Sequence, residues 1–186
     1  MASTRLFQTD DAATGLDELR QRLGRHIEEA FADTPYPGDN HICKPDVDGS
    51  DLVRAFRGQD WRDLQLNTIT NYHVDMALMT PEAFRYYLPA FMLAVVFYYG
   101  HVSTLPMGLM HSLTPPDAGL LQKYLEKKTD PLKHTQIGDF LNRVSAFTPR
   151  EKSAIRTFLE TYRKLQPQAR GETRHLDRAA EFWKTA

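Results

Sequence analysis

The sequence has little of several features that define common protein classes. It contains one cysteine among 186 residues, Cys43, which excludes an internal disulfide and a cysteine-rich metal site. Its formal net charge is −1, so no overall charge draws the chain to nucleic acid or to an anionic membrane. Its longest strongly apolar run, residues 88–99, is shorter than the roughly 20 residues that a bilayer span needs. The composition, 41% hydrophobic and 25% charged, is instead typical of a globular domain that buries a core.

The motifs of several enzyme classes are also missing from the chain. It has no Gly-x-Gly-x-x-Gly or Gly-x-x-x-x-Gly-Lys-Ser/Thr loop to hold phosphates, and no Gly-x-Ser-x-Gly nucleophile turn. Seven histidines are present, but only Glu172 and His175 form a Glu-x-x-His pair, and a helical two-metal site needs two such pairs. The sequence therefore predicts no catalytic residues, no metal and no cofactor.

The length of the chain corresponds to a single domain. Residues 1–13 have no apolar core, so they are not typical of a secretory or transit peptide, and we expect a cytoplasmic protein that does not enter a membrane. We expect a flexible N-terminus over residues 1–13, a helical domain over 14–166, and a linker and helix over 167–186. Whether that last helix packs on the domain is left open.

Apolar residues recur every three or four positions through most of the sequence, which indicates helices. We expect an all-α, single-domain bundle of about seven or eight helices around a central, apolar, proline-kinked helix. The predicted segments are 16–31, 50–57, a weaker candidate over 66–79, 80–99, 105–113, 120–125, 137–147, 148–165 and 176–183. We expect Trp61 to fill the core from a loop.

Two helix starts are marked by their capping residues. Thr80 precedes Pro81, and Thr148 precedes Pro149 with Glu151 completing a capping box. The first of these begins the central helix, which is apolar on every side and whose aromatic residues we interpret as core. Pro89 inside it removes one backbone donor and predicts a kink.

Arg85 is the only basic residue in this helix, which we expect to be buried. We therefore expect its side chain to pair with a carboxylate or to face a cleft. Glu82, Asp39 and Asp60 are its candidate partners. The structural interpretation is that Arg85 ties the 35–41 loop or the Trp61 loop to the core. The functional interpretation groups the candidate binding residues around one pocket, in which Arg85 clamps a carboxylate or phosphate. These residues are Tyr36, Asp39, Trp61, Glu82, Arg85 and Tyr86.

Charge is unevenly distributed along the chain. Residues 1–119 carry 9 basic and 16 acidic residues, whereas residues 120–186 carry 14 basic and 8 acidic residues. The basic residues of segment 148–165, together with Lys123, Lys127 and Lys128 before it, are interleaved with Glu126, Glu151 and Glu160, which favours a solvated surface over a phosphate-binding stripe. Nucleic acid is therefore an unlikely partner. The uneven charge is compatible with halves that pack together or with a surface for one protein partner.

Three stretches in order give the sequence a resemblance to a bacterial family of small, uncharacterised helical proteins. They are Ala30-Phe31-x-x-Thr34-Pro35-Tyr36-Pro37-Gly38-Asp39, Phe56-Arg57-Gly58-x-x-Trp61 and Thr80-Pro81-Glu82-Ala83-Phe84-Arg85-Tyr86-Tyr87-Leu88-Pro89-Ala90-Phe91. The segment from Phe147 to Leu159 is similar to the last helix of that family. The resemblance covers residues 27–165 and implies bacterial origin, one domain and a cytosolic setting, but no catalytic residue.

The main hypothesis is a non-enzymatic cytosolic binding protein, such as an immunity or adaptor protein, with one protein partner. The alternative is an enzyme or small-ligand binder with an anion-binding pocket around Arg85. A third possibility is self-association through the last helix; the oligomeric state is not predicted.

Overall fold

A computed structural model describes residues 15–45, 47–102, 104–128, 131–166 and 173–186. Within these ranges the chain is all-helical, as predicted, with nine α-helices and no β-strand. The helices are α1 (Gly15–Ala30), α2 (Ser50–Phe56), α3 (Leu66–Tyr72), α4 (Pro81–Tyr98), α5 (Leu105–Leu113), α6 (Ala118–Leu125), α7 (Pro131–Ala146), α8 (Pro149–Leu165) and α9 (Thr173–Trp183). Short 3₁₀ helices cover His73–Leu78 and Tyr99–His101.

The helix count exceeds the seven or eight that the sequence predicts. Segments as short as α2, α3 and α6 each form a complete helix of seven or eight residues. The weak candidate over 66–79 divides into α3 and a 3₁₀ helix, and the side chain of Thr70 hydrogen-bonds to the Leu66 carbonyl near this change. The prediction of a single helix over 66–79 was wrong.

Helix α4 forms the centre of the bundle, as its composition predicts. Most of its residues from Ala83 to Val96 are buried, and it contacts α1, α3, α5, α7 and α8. The predicted cap is present, since the Thr80 hydroxyl accepts a hydrogen bond of 3.1 Å from the Ala83 backbone N–H. The helix continues through Pro89 to Tyr98. The predicted kink at Pro89 stays a prediction.

The loop before α2 lies against the beginning of α4, as both interpretations of Arg85 require. The Thr80 hydroxyl donates to the His41 carbonyl at 2.6 Å, and the Thr80 backbone N–H donates to the Ile42 carbonyl at 3.1 Å. An isolated β-bridge joins Cys43 to Met79. These contacts attach the loop to the end of α4 at which Arg85 lies.

Helix α9 packs on the bundle, which answers the question that the sequence leaves open. It contacts α8 and α5, and Trp183 at its end is 2% exposed. The Trp183 indole N–H donates to the Leu113 carbonyl at 2.8 Å. The side chains of Thr114 and Arg178 form further hydrogen bonds between the end of α5 and α9.

The predictions of a flexible N-terminal segment and of a linker before the last helix stay predictions. The predicted flexible segment 1–13 lies outside the described residues, and so does the linker between α8 and α9. Among the helices that the structure describes, none combines the length and the apolarity needed to cross a membrane.

Candidate functional site

Arg85 pairs with a carboxylate that the sequence does not identify as its partner. Its Nε lies 2.9 and 2.8 Å from the two carboxylate oxygens of Glu151, in the first turn of α8. Glu151 is 1% exposed and also accepts hydrogen bonds from the Thr34 hydroxyl at 2.6 Å and the Thr148 backbone N–H at 2.7 Å. Each acceptor oxygen of Glu151 thus has two donors. The arrangement holds α4, α8 and the start of the loop after α1 together.

The three proposed partners of Arg85 are therefore wrong. Asp39 pairs with Arg57 and Asp60 pairs with Arg62, at 2.9 and 3.3 Å. Glu82 is exposed and forms no ion pair within the described part of the chain. The sequence signal that was available is the capping box, which places Glu151 at a helix N-terminus, but the box alone does not show which helix packs against it.

Tyr36, Asp39 and Tyr86 do come together, with Arg57 as an additional member. The Tyr36 hydroxyl donates to Asp39 at 2.7 Å and accepts from the Gly58 backbone N–H at 2.8 Å. The rings of Tyr36 and Tyr86 meet edge to face at 5.4 Å between centroids. We call Tyr36, Asp39, Arg57 and Tyr86 the tyrosine cluster.

The hydrogen bonds and burial of the tyrosine cluster shift the pKa values of its members. Hydrogen bonds from Tyr36 and Arg57 lower the pKa of Asp39, so its carboxylate is ionised at neutral pH. Burial, and then the hydrogen bond with Asp39, raises the pKa of Tyr36. Burial, and then the charge of Asp60, raises the pKa of Tyr86. Asp39 and the two phenols therefore keep their protonation states near pH 7, which suits a hydrogen-bonding cluster rather than proton transfer.

Trp61 is buried, as predicted, and borders a cleft on the side of α4 that faces α3. The cleft has about 330 Å³ of empty space, part of which is open to solvent. Its lining is mainly apolar and consists of Trp61, Arg62, Leu64, Leu66, Ile69, Ala90, Leu93, Ala94 and Tyr98. We call this the Trp61 cleft. Of the six candidate binding residues, Trp61 lines this cleft, and Tyr36, Asp39, Glu82, Arg85 and Tyr86 do not.

Helix α8 presents a more basic surface than its sequence indicates. Its outward residues include five cations, which we call the basic face of α8: Arg150, Lys152, Arg156, Arg163 and Lys164. Glu151 is removed from this surface by its burial, which leaves Glu160 as the exposed carboxylate of α8. Arg163 pairs with Asp177 of α9. The other four cations form no ion pair with any residue that the structure describes.

Sequence reasoning also missed Arg143, near the end of α7. Its guanidinium carbon lies 4.8 Å from the centre of the Phe84 ring, and its Nε is buried without a hydrogen-bond partner. Burial lowers the pKa of this arginine, and the charge of Asp139 opposes the shift. A cation stacked on a ring produces no periodic pattern by which it could be recognised in a sequence.

The described side chains offer no constellation for metal chemistry, because no three His, Cys, Asp or Glu residues among them are grouped to hold an ion. Cys43 is half-buried, and burial raises the pKa of its thiol, which disfavours a thiolate nucleophile. The features that stand out among the described residues are a cationic helix surface, an apolar cleft and a hydrogen-bonded tyrosine cluster.

The comparisons with known proteins concern the family and leave the activity open. Residues 19–186 match the model of a family described as a family of unknown function (DUF6714). No curated protein and no solved structure matches the chain.

Proposed function

Because this chain belongs to the DUF6714 family of unknown function, we propose its function from its own surface: it is a non-enzymatic binding protein for one protein partner. The partner contacts the basic face of α8 with an acidic surface. An immunity protein or an adaptor in the bacterial cytoplasm would act in this way.

The observation that carries the proposal is the set of unpaired cations on α8. Lys152, Arg156 and Arg163 lie within about 40° of one another around the helix, because α-helical residues are separated by 100°. Lys152 and Arg156 make no ion pair with the described residues, unlike Arg54 and Arg57 at the end of α2, which are paired with Asp51 and Asp39. Exposed cations on one side of a helix attract a surface of opposite sign and orient it, and two of these three form no ion pair with the described residues.

The alternative function, an anion-binding pocket around Arg85, has less support. The Arg85 side chain is 22% exposed, and its Nε already pairs with both oxygens of a carboxylate. A ligand anion would have to bind beside Glu151, whose charge repels it.

The test is an affinity capture that compares two variants of equal net charge. One variant reverses the basic face of α8 with Lys152→Glu, Arg156→Glu and Lys164→Glu. The matched control reverses three exposed cations on other helices and their ends with Arg54→Glu, Lys123→Glu and Lys127→Glu. Each variant is immobilised, exposed to lysate of the source cells treated with nuclease, and analysed by mass spectrometry.

We expect one stoichiometric protein partner on the unmodified protein and on the control variant, and at least a ten-fold loss on the α8 variant. Binding should also weaken as salt is raised from 50 to 500 mM, because exposed charges are screened. Equal capture by all three proteins would refute the role of α8. Capture seen only in a parallel lysate without nuclease would replace the protein partner by a phosphate backbone.

A further inference from the structure

Arg143 on α7 is a mostly buried cation for which the described residues provide no anion of its own. Its guanidinium carbon lies 4.8 Å from the centre of the Phe84 ring, and its Nε is enclosed without an acceptor. Arg85 on α4 differs in this respect, since both carboxylate oxygens of Glu151 accept from its Nε. Arg143 has therefore lost much of its hydration, and the face of an aromatic ring is what it receives in return.

The two terminal nitrogens of Arg143 are accessible from outside. They form no hydrogen bond with the residues that the structure describes, yet Nε is the guanidinium nitrogen that is enclosed without a partner. Terminal nitrogens that were equally enclosed would be orphaned in the same way, and the side chain as a whole is half-buried rather than buried. These nitrogens can thus donate side by side to a group that arrives from solvent.

The charges around Arg143 leave one positive charge unbalanced. Asp139 lies one helical turn earlier on α7 and attracts the guanidinium, but its carboxylate is 2.6 Å from Lys44 Nζ. Lys44 also donates to the Ala77 carbonyl at 2.7 Å, which holds its ammonium beside Asp139. Two cations therefore share one carboxylate, and one negative charge from outside would complete the balance.

A carboxylate group matches this site in charge and in shape. It carries one negative charge, and its two oxygens fit the parallel N–H groups at the end of a guanidinium. A doubly charged anion would exceed the unbalanced charge and would be repelled by Asp139. Because the Phe84 ring covers one face of the guanidinium, the ligand meets its edge.

We infer that the two terminal nitrogens of Arg143 bind a single carboxylate group, carried by a small molecule or by the end of a peptide chain. Phe84 supports the guanidinium, and the ion pair of Lys44 with Asp139 fixes the charge beside it. The inference does not depend on the basic face of α8, so either proposal can fail without the other.

Nuclear magnetic resonance tests the inference through the Nε–H signal of Arg143, which we expect to exchange slowly with water because the atom is enclosed. The full-length protein labelled with ¹⁵N is titrated at constant ionic strength with acetate, with acetamide, which has a similar shape but no charge, and with sulfate, which has two charges. N-acetylglycine, which ends as a peptide chain does, is titrated in parallel. Arg143→Lys assigns the signal. Arg156 of α8, which has no carboxylate partner among the described residues, is the matched control and is assigned with Arg156→Lys.

We expect acetate to shift the Arg143 signal in a saturable way, with a dissociation constant roughly ten-fold lower than for any shift at Arg156, because the mostly buried cation gains more from an anion. Acetamide and sulfate should bind more weakly than acetate. Asp139→Asn should strengthen acetate binding several-fold, since it removes the neighbouring negative charge. Tighter binding of N-acetylglycine than of acetate assigns the site to a chain end, and equal or weaker binding assigns it to a small carboxylate.

Three results on the unmodified protein would overturn the inference, whatever the stability of the variants. The first is a shift at Arg143 that begins no earlier in the acetate titration than the shift at Arg156, which would leave water as the partner of the terminal nitrogens. The second is equal binding of acetate and acetamide, which would remove the role of charge. The third is tighter binding of sulfate, which would contradict the preference for one negative charge.

Discussion

Glu151 shows how a single carboxylate can be buried when hydrogen-bond donors replace its hydration. Removing a carboxylate from water is costly unless partners replace its hydration. Here the Arg85 Nε, the Thr34 hydroxyl and the Thr148 backbone N–H all donate to it. Because two of these donors come from distant parts of the chain, α4 and the loop after α1, the Arg85–Glu151 pair contributes to the relative placement of α4 and α8.

Replacing Glu151 by Gln should lower the free energy of unfolding by about 3 kcal/mol, because Arg85 then keeps its charge in a mainly buried position without a carboxylate. Glu160→Gln on the exposed side of the same helix is the matched control and should change it by less than about 0.5 kcal/mol. Urea unfolding followed by circular dichroism measures both values. Similar values for the two variants would show that the Arg85–Glu151 pair does not stabilise the fold.

Two histidines, one in α5 and one in α9, are in contact where α9 packs on the bundle. The rings of His111 in α5 and His175 in α9 lie 5.4 Å apart, and Nδ1 of His175 is buried without a partner. Burial lowers the pKa of His175, and the charges of His111, Arg178 and Arg174 lower it further. A proton on His175 is therefore unfavourable while α9 is docked.

The stability of the protein should consequently fall on acidification through this histidine. The folded-state pKa of His175 is lower than its unfolded value of 6.5, so the unfolded chain takes up the proton first and gains stability as the pH falls below 6.5. We expect urea midpoints between pH 7.5 and 5.5 to fall more steeply for the unmodified protein than for His175→Gln. His26→Gln in α1 is the control and should retain the steep dependence. Identical slopes for all three proteins would contradict the assignment.

A single apolar core extends through the described part of the molecule. It includes residues of both the first and the last described helix, α1 and α9. Phe147 contacts Phe31 and Phe84 on one side and Trp183 on the other, with ring centroids 5.8 to 6.3 Å apart. The apolar cluster is continuous from α1 through α4 and α8 to α9. Such continuity predicts that α9 unfolds together with the bundle.

Trp183→Ala should lower the free energy of unfolding by about 3–5 kcal/mol, because it creates a cavity beside Phe147 and removes a hydrogen bond to Leu113. The variant retains Trp61 as its one tryptophan, so its fluorescence reports on the other end of the bundle. Unfolding followed by this fluorescence and by circular dichroism should coincide. Lys184→Ala, at the exposed neighbouring position, is the control. A stability equal to that of the unmodified protein would mean that α9 contributes nothing to the fold.

Much of the helical architecture could be predicted because it depends on neighbours in sequence. The caps formed by Thr80 and Thr148, the course of α4 and the burial of Trp61 all follow from a few adjacent residues. The division of segment 66–79 was not predicted, because its apolar spacing suits both an α-helix and a tighter turn. Arg85 was recognised as a residue in need of a partner, but three wrong partners were considered.

The partners themselves were decided by the packing of distant segments. Glu151 is 66 residues from Arg85, and Thr34 is 117 residues from Glu151, so only the crossing of α4, α8 and the loop after α1 brings them together. The same holds for the Trp61 cleft, since it exists only where the loop that carries Trp61 and helix α3 meet α4. Secondary structure and burial depend on local spacing and capping, and both can be recognised within short stretches of the sequence. Ion pairs, clefts and charged faces depend on which helices touch, and that is a property of the folded molecule.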